Sequence, residues 1–189
     1  MLDSLSNGLR RFSKEWVVVL ALVIFGLFTA LVLPAQASKA AGQTGEAGSP
    51  DLSLWYRPSD LYRMAEAYGE AGRKEYVRSH FTFDLAWPLV YTFFLVTAIS
   101  WLFGRGFPLS SPWQRANLAP LAAMLLDFLE NISTSLVMLA YPQPLPLIAW
   151  LAPFFTLLKW ITVGLSILLL LIGVGAATLA GLRKRRTKH

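Results

Sequence analysis

The stretch ANLAPLAAMLLDFLENISTSLVMLA, Ala116 to Ala140, is 25 residues long and apolar enough to cross a membrane, yet Asp127, Glu130, Asn131 and Thr134 interrupt it. At helical spacing these four stand at i, i+3, i+4 and i+7, so they share one face about 100° wide. That face cannot meet lipid. An ionisable residue near the bilayer centre costs roughly 2.5 to 3.5 kcal/mol on insertion scales, and it faces a protein interior, a partner charge or water. The ten Leu, Ile, Val and Phe residues of the stretch contribute roughly 3 to 6 kcal/mol toward insertion, against a cost of about 5 to 7 kcal/mol for two central carboxylates. Such a helix needs neighbours, and the reading is a bundle of membrane helices.

The neighbours are visible on either side. Trp16 to Leu33, Phe81 to Phe103 and a long run from Leu147 to about Leu182 are also apolar, and each reaches the roughly 18 residues that mark a membrane helix. The expected fold is an all-α, four-transmembrane-helix bundle in one membrane domain spanning residues 1–189, with spans at about 16–33, 81–103, 116–140 and 147–172. If helical to Leu182, the last run would reach about 54 Å, longer than a bilayer core of about 30 Å, so its end must tilt or continue into water.

Charge placement orients the bundle. Of seventeen basic residues, ten (Arg10, Arg11, Lys14, Arg105, Arg115, Arg183, Lys184, Arg185, Arg186 and Lys188) fall on one side of the predicted spans. The other side has six basic residues balanced by six acidic ones between Pro34 and His80. The positive-inside rule then predicts a multi-pass protein of the cell (inner) membrane with both termini cytoplasmic. The net charge of +6 is a topology signal and a contact for anionic membrane lipid, and no nucleic-acid partner is expected. With no cysteine in the chain, disulfides, thiolate catalysis and thiolate metal sites are excluded.

The start of the chain also imitates a secretory signal: basic residues, an apolar stretch, then Ala35-Gln36-Ala37 as a small-residue cleavage site. An 18-residue core is long for a signal and long enough to span, so a retained first helix is expected. Cleavage after Ala37 would leave three spans. Residues 34–80 form the outer connection. Ala35 to Pro50, rich in Ala, Gly, Ser and Gln, reads as a flexible linker. From Ser59 or Asp60 as a cap, Leu61, Met64, Ala65 and Tyr68 recur at helical spacing and predict a short amphipathic helix at the membrane interface, with Trp55, Tyr56 and Tyr62 beside it. Gly69 and Gly72 let the chain turn into the second span.

A second polar stripe enters that span: Arg73, Tyr76, His80, Asp84, Trp87 and Tyr91 share one face if the helix starts near Arg73. Pro88 removes one backbone hydrogen bond, which is tolerated where a neighbour or water satisfies the freed carbonyl. The fourth span supplies Lys159. Counting along the spans, Asp127 and Lys159 lie within one helical turn in depth, while Asp84 is only about 5 Å below the outer surface. The candidate ligand-binding or ion-pair cluster is therefore Asp127, Glu130, Asn131, Lys159 and Asp84, with His80, Arg73 and Tyr91 at its entrance. Gly173, Ala177 and Gly181, spaced by four, permit close helix contact within the chain, in a homo-oligomer or with a membrane partner.

What the cluster does divides three ways. An excess of carboxylate over lysine suits a pocket that binds or transports a lipid-like, cationic or protonic ligand. The same residues could instead be a packing lock, Asp127 pairing with Lys159, in a non-catalytic membrane subunit or assembly factor. A third class is an intramembrane lipid-modifying enzyme with a carboxylate acid/base. His80 and Asp84, at i and i+4, suit an imidazole oriented by a carboxylate. For zinc they lack a third ligand unless Glu130 supplies it, and no metal site is expected. No G-x-S-x-G, phosphate-loop or HExxH motif occurs, so no catalytic residue is assigned, no cofactor is expected, and enzyme activity stays open.

Tyr68-Gly69-Glu70-Ala71-Gly72-Arg73 with Tyr76, Asp84-Leu85-Ala86-Trp87-Pro88 with Tyr91, Asp127 with Glu130-Asn131, and Tyr141-Pro142 together resemble the patterns of an uncharacterised family of small four-span bacterial membrane proteins. The resemblance covers about Asp51 to Tyr141 and implies architecture, not mechanism. In layout alone the chain is distantly similar to the sterol isomerase and sigma-2 receptor superfamily, which places carboxylates inside a lipid-ligand pocket. No catalytic residue aligns, and that likeness implies only a lipid-like ligand.

Overall fold

A computed structural model describes the backbone of residues 1–44 and 47–186. It is all helical among those residues, and four of its helical stretches, Glu15–Lys39, Gly69–Gly106, Pro112–Ala140 and Pro146–Arg186, are long and apolar enough to cross a membrane. By that criterion the chain has four candidate membrane-crossing helices in an all-α bundle. A short amphipathic helix, α1 (Leu2–Phe12), precedes the first span.

The first span runs as α2 (Glu15–Leu27), a π-helical turn (Phe28–Val32) and α3 (Leu33–Thr44). Composition suggested a flexible linker from Ala35, but the helix continues to Thr44. Pro34 has no N–H to offer the carbonyl four residues back, and the wider turn just before it relieves the clash with its ring. A 3-10 turn at Pro50–Leu52 follows, then α4 (Pro58–Ala67), α5 (Gly69–His80), α6 (Phe83–Gly106), α7 (Ala119–Ala140) and α8 (Pro146–Arg186). The 41 residues of α8 amount to about 61 Å at 1.5 Å each, so the long final helix foreseen from sequence is unbroken.

Two compact units divide the chain, with α6, α7 and α8 contributing to both. The first holds Met1–Gly26, Val90–Ala122 and the chain from Thr162 on. There α1 packs on the 3-10 turn Pro112–Leu118: Ser6 Oγ donates to the Gln114 carbonyl (2.9 Å), Asn117 Nδ2 donates to the Ser6 carbonyl (3.1 Å), and Arg115 grips Asp3 (2.6 and 2.8 Å). Gln114 Nε2 reaches the Phe103 carbonyl (3.1 Å), which also accepts the Phe107 N–H (3.0 Å) at the end of α6. In this unit Gly173 and Ala177 of α8 are used inside the chain, whereas a Cβ at Gly181 would meet nothing within 4 Å. A Cβ at Gly173 would meet Phe103 and Leu102 at 2.9–3.0 Å, and one at Gly106 would meet Ala176 at 2.7 Å.

The second unit, Leu27–Leu89 with Ala123–Ile161, contains the candidate site. Asp60 caps α4 by accepting the Arg57 N–H (3.0 Å), and Pro58 opens the helix. The expected apolar face is present, but it is packed on protein: Leu61, Met64, Ala65 and Tyr68 are buried with Val137 and Met138 of α7 and Ala149 and Ala152 of α8. Interfacial burial in lipid was the expectation; the ends of α7 and α8 cover the face first. Gly69, at φ +61°, makes the corner into α5 that other residues resist.

Candidate functional site

Glu130 sits at the centre, with no solvent exposure. Lys159, on α8, makes its ion pair with Glu130, and its Nζ lies 3.8 Å from Asp127 Oδ1 and 5.1 Å from the Trp160 ring centroid. Sequence reading paired Lys159 with Asp127; that ion pair is present, and one turn further along α7 Glu130 comes closer still to the same ammonium. Thr156, one turn before Lys159 on α8, donates to Glu130 Oε1 at 2.8 Å. The Tyr56 hydroxyl lies 3.2 Å from Thr156 Oγ1, and since the Thr156 proton goes to Glu130, Tyr56 acts as donor. Burial raises the Tyr56 phenol well above its ordinary value, which keeps that proton in place.

Asn131 has a different task. Its Nδ2 donates to the Asp84 backbone carbonyl at 3.2 Å. That carbonyl is four residues before Pro88, so it is the one the proline leaves without an N–H. Thr134, the last of the polar stripe, turns its hydroxyl back to the Glu130 carbonyl (3.0 Å).

A second group adjoins the first through charge. His80 is buried between two carboxylates: Nδ1 is 2.8 Å from Asp84 Oδ2 and Nε2 is 3.3 Å from Asp51 Oδ1. Asp51 also accepts from Ser49 Oγ (2.9 Å) and from the Tyr76 hydroxyl (3.3 Å). Burial opposes ionisation of Asp51, but the facing imidazole, the more distant Lys159 and the Ser49 hydroxyl outweigh it and hold the carboxyl well below the usual range. Asp51 is absent from the sequence-derived cluster, because the segment carrying it has no periodicity. The one signal is Ser49-Pro50-Asp51 itself, a turn sequence with a carboxylate at its end.

Of the expected entrance residues, His80 is at the site. Arg73 instead ties the α4–α5 corner, donating to the Ala65 carbonyl (2.8 Å) with its guanidinium 4.7 Å over the Tyr141 ring. Tyr91 is buried in the other unit. Among the described residues no set of three His, Asp or Glu side chains is arranged to hold a metal. The chain matches no family model, no curated protein and no solved structure.

The ledger of charge is uneven. Four carboxyl groups, Asp51, Asp84, Asp127 and Glu130, face two basic groups, Lys159 and His80.

Proposed function

We propose that the chain is a multi-pass cell-membrane protein, with both termini cytoplasmic, whose acid-rich core binds and transfers a proton. A cationic or lipid-like ligand belongs to the same class of site. The proton is favoured because the polar atoms stand at contact distance from one another. The observation that supports the reading is the Asp127–Lys159–Glu130–Thr156 array, in which one ammonium is shared between two carboxylates. Glu130 is the carrier in this scheme. Lys159 moves between the two carboxylates as each gains or loses a proton, and Asp127 takes the step nearer the termini.

The test is proton flux into liposomes containing the full chain, driven by an imposed potential and read with an enclosed pH dye. Wild type should acidify the lumen. Glu130→Gln should abolish flux, since the amide cannot carry a proton, and Asp127→Asn should reduce it at least tenfold. Equal flux in Glu130→Gln would remove Glu130 from the path.

The second reading, a structural subunit or assembly factor, is favoured by Asn131. A residue on the same face of α7 repairs the Pro88 defect and needs no ligand to justify it. Under that reading the Glu130–Lys159 pair fixes the register of α7 against α8, and purified protein carries no flux.

A further inference from the structure

The connector from Ser49 to Tyr56 has little structure of its own. One 3-10 turn, with Ser53 N donating to the Pro50 carbonyl (3.0 Å), is its internal backbone support. Leu52 is 82% exposed and Leu54 67% exposed, so apolar burial does not hold its middle; Pro50 and Tyr56 are buried at its ends. It is held at two points instead. Asp51 engages His80, Tyr76 and Ser49, and Tyr56, only 3% exposed, fills the space against Thr156 and Glu130. Trp55 adds an edge contact to Phe154, with ring centroids 5.2 Å apart.

A segment whose side chains between Pro50 and Tyr56 are all at least partly exposed, and which is pinned only at its ends, is the kind that opens at small cost. The geometry points to the Ser49–Tyr56 connector being an autoinhibitory strap, with Asp51 as its catch and the Tyr56 ring as a plug that shuts Glu130 and Thr156 off from water. This regulation rests on the proton-transfer reading of the same core. Closed, the strap leaves Glu130 with partners only from the protein. Open, it lets water reach the carboxylate and the path runs.

The plug is distinguished from a relay by substitution. Tyr56→Phe keeps the ring and loses the hydroxyl; flux should stay within about twofold of wild type. Tyr56→Ala removes the ring, and Asp51→Ala removes a catch built on bonds to a charged group; each should raise flux about tenfold. Asp51→Asn, which keeps the shape and can still bond Ser49 and His80, should lie between. Strap position is read independently of flux. The chain has no cysteine, so Leu54→Cys and Leu147→Cys on the full chain accept two spin labels and no others. The label separation should be narrow in wild type and gain a longer component in Asp51→Ala. Loss of flux in Tyr56→Phe, or an unchanged distance distribution in well-folded Asp51→Ala, would overturn the strap. A longer distance in Asp51→Ala with no flux in any form of the protein would keep the strap and overturn the transport reading.

Discussion

At the scale of the residue, Glu130 is a carboxylate held wholly inside the protein. A carboxylate with no exposure is tolerable because an ammonium and a hydroxyl reach it, and removing one partner of such a pair is far costlier than removing both. Lys159→Met should therefore lower stability by about 3 to 5 kcal/mol, and adding Glu130→Gln to it should recover most of the loss, as measured by reversible unfolding in mixed micelles. Asp51 gives a pH signature. Its folded value lies below its unfolded one, so it adds stability that is fully present above the unfolded value near pH ~3.9 and is lost as the pH falls toward the folded value. Melting temperatures of wild type and Asp51→Asn should converge on acidification, and a gap that stays constant down the acid limb would contradict the assignment. The polar stripe on α7 was legible because helical periodicity fixes which residues share a face. Which of Asp127 and Glu130 would come closer to the lysine was not, since that turns on a few ångströms of helix register that spacing along two separate spans cannot supply.

Among the elements, α6 shows how a defect in one helix is repaired by another. Pro88 frees the Asp84 carbonyl, and Asn131 of α7 donates to it. Asn131→Leu should cost about 1 to 3 kcal/mol by leaving a buried acceptor unpaired. Pro88→Ala restores an N–H at that position, so in the Pro88→Ala background the same Asn131→Leu change should cost much less. Additive costs in that double-mutant cycle would rule out the repair. The proline and a need for outside help were readable from sequence; the helper was not, because nothing in a linear spacing says which side chain of α7 faces which turn of α6. The helix from Leu33 to Thr44 was missed for a related reason. Pro34 normally ends a helix, and the preceding π-helical turn that lets it continue has no sequence mark.

For the whole molecule, the number of spans and the all-helical class followed from apolar run length, which depends on bilayer thickness and needs no tertiary knowledge. The connector did not follow, since its two fixed points, Asp51 and Tyr56, are held by residues on α5 and α8 that are distant in sequence. Packing of α4 on the ends of α7 and α8 rather than in lipid has the same origin. The central claim is that the acid-rich core transfers protons and is not merely a lock. The most direct measurement is potential-driven proton flux in liposomes for wild type beside the double variant Glu130→Gln/Lys159→Met, which removes both charges and keeps the fold, as verified by its helical spectrum and unfolding transition. Flux is expected in wild type and none in the folded double variant; equal flux in the two, or none in either, would contradict proton transfer through the core.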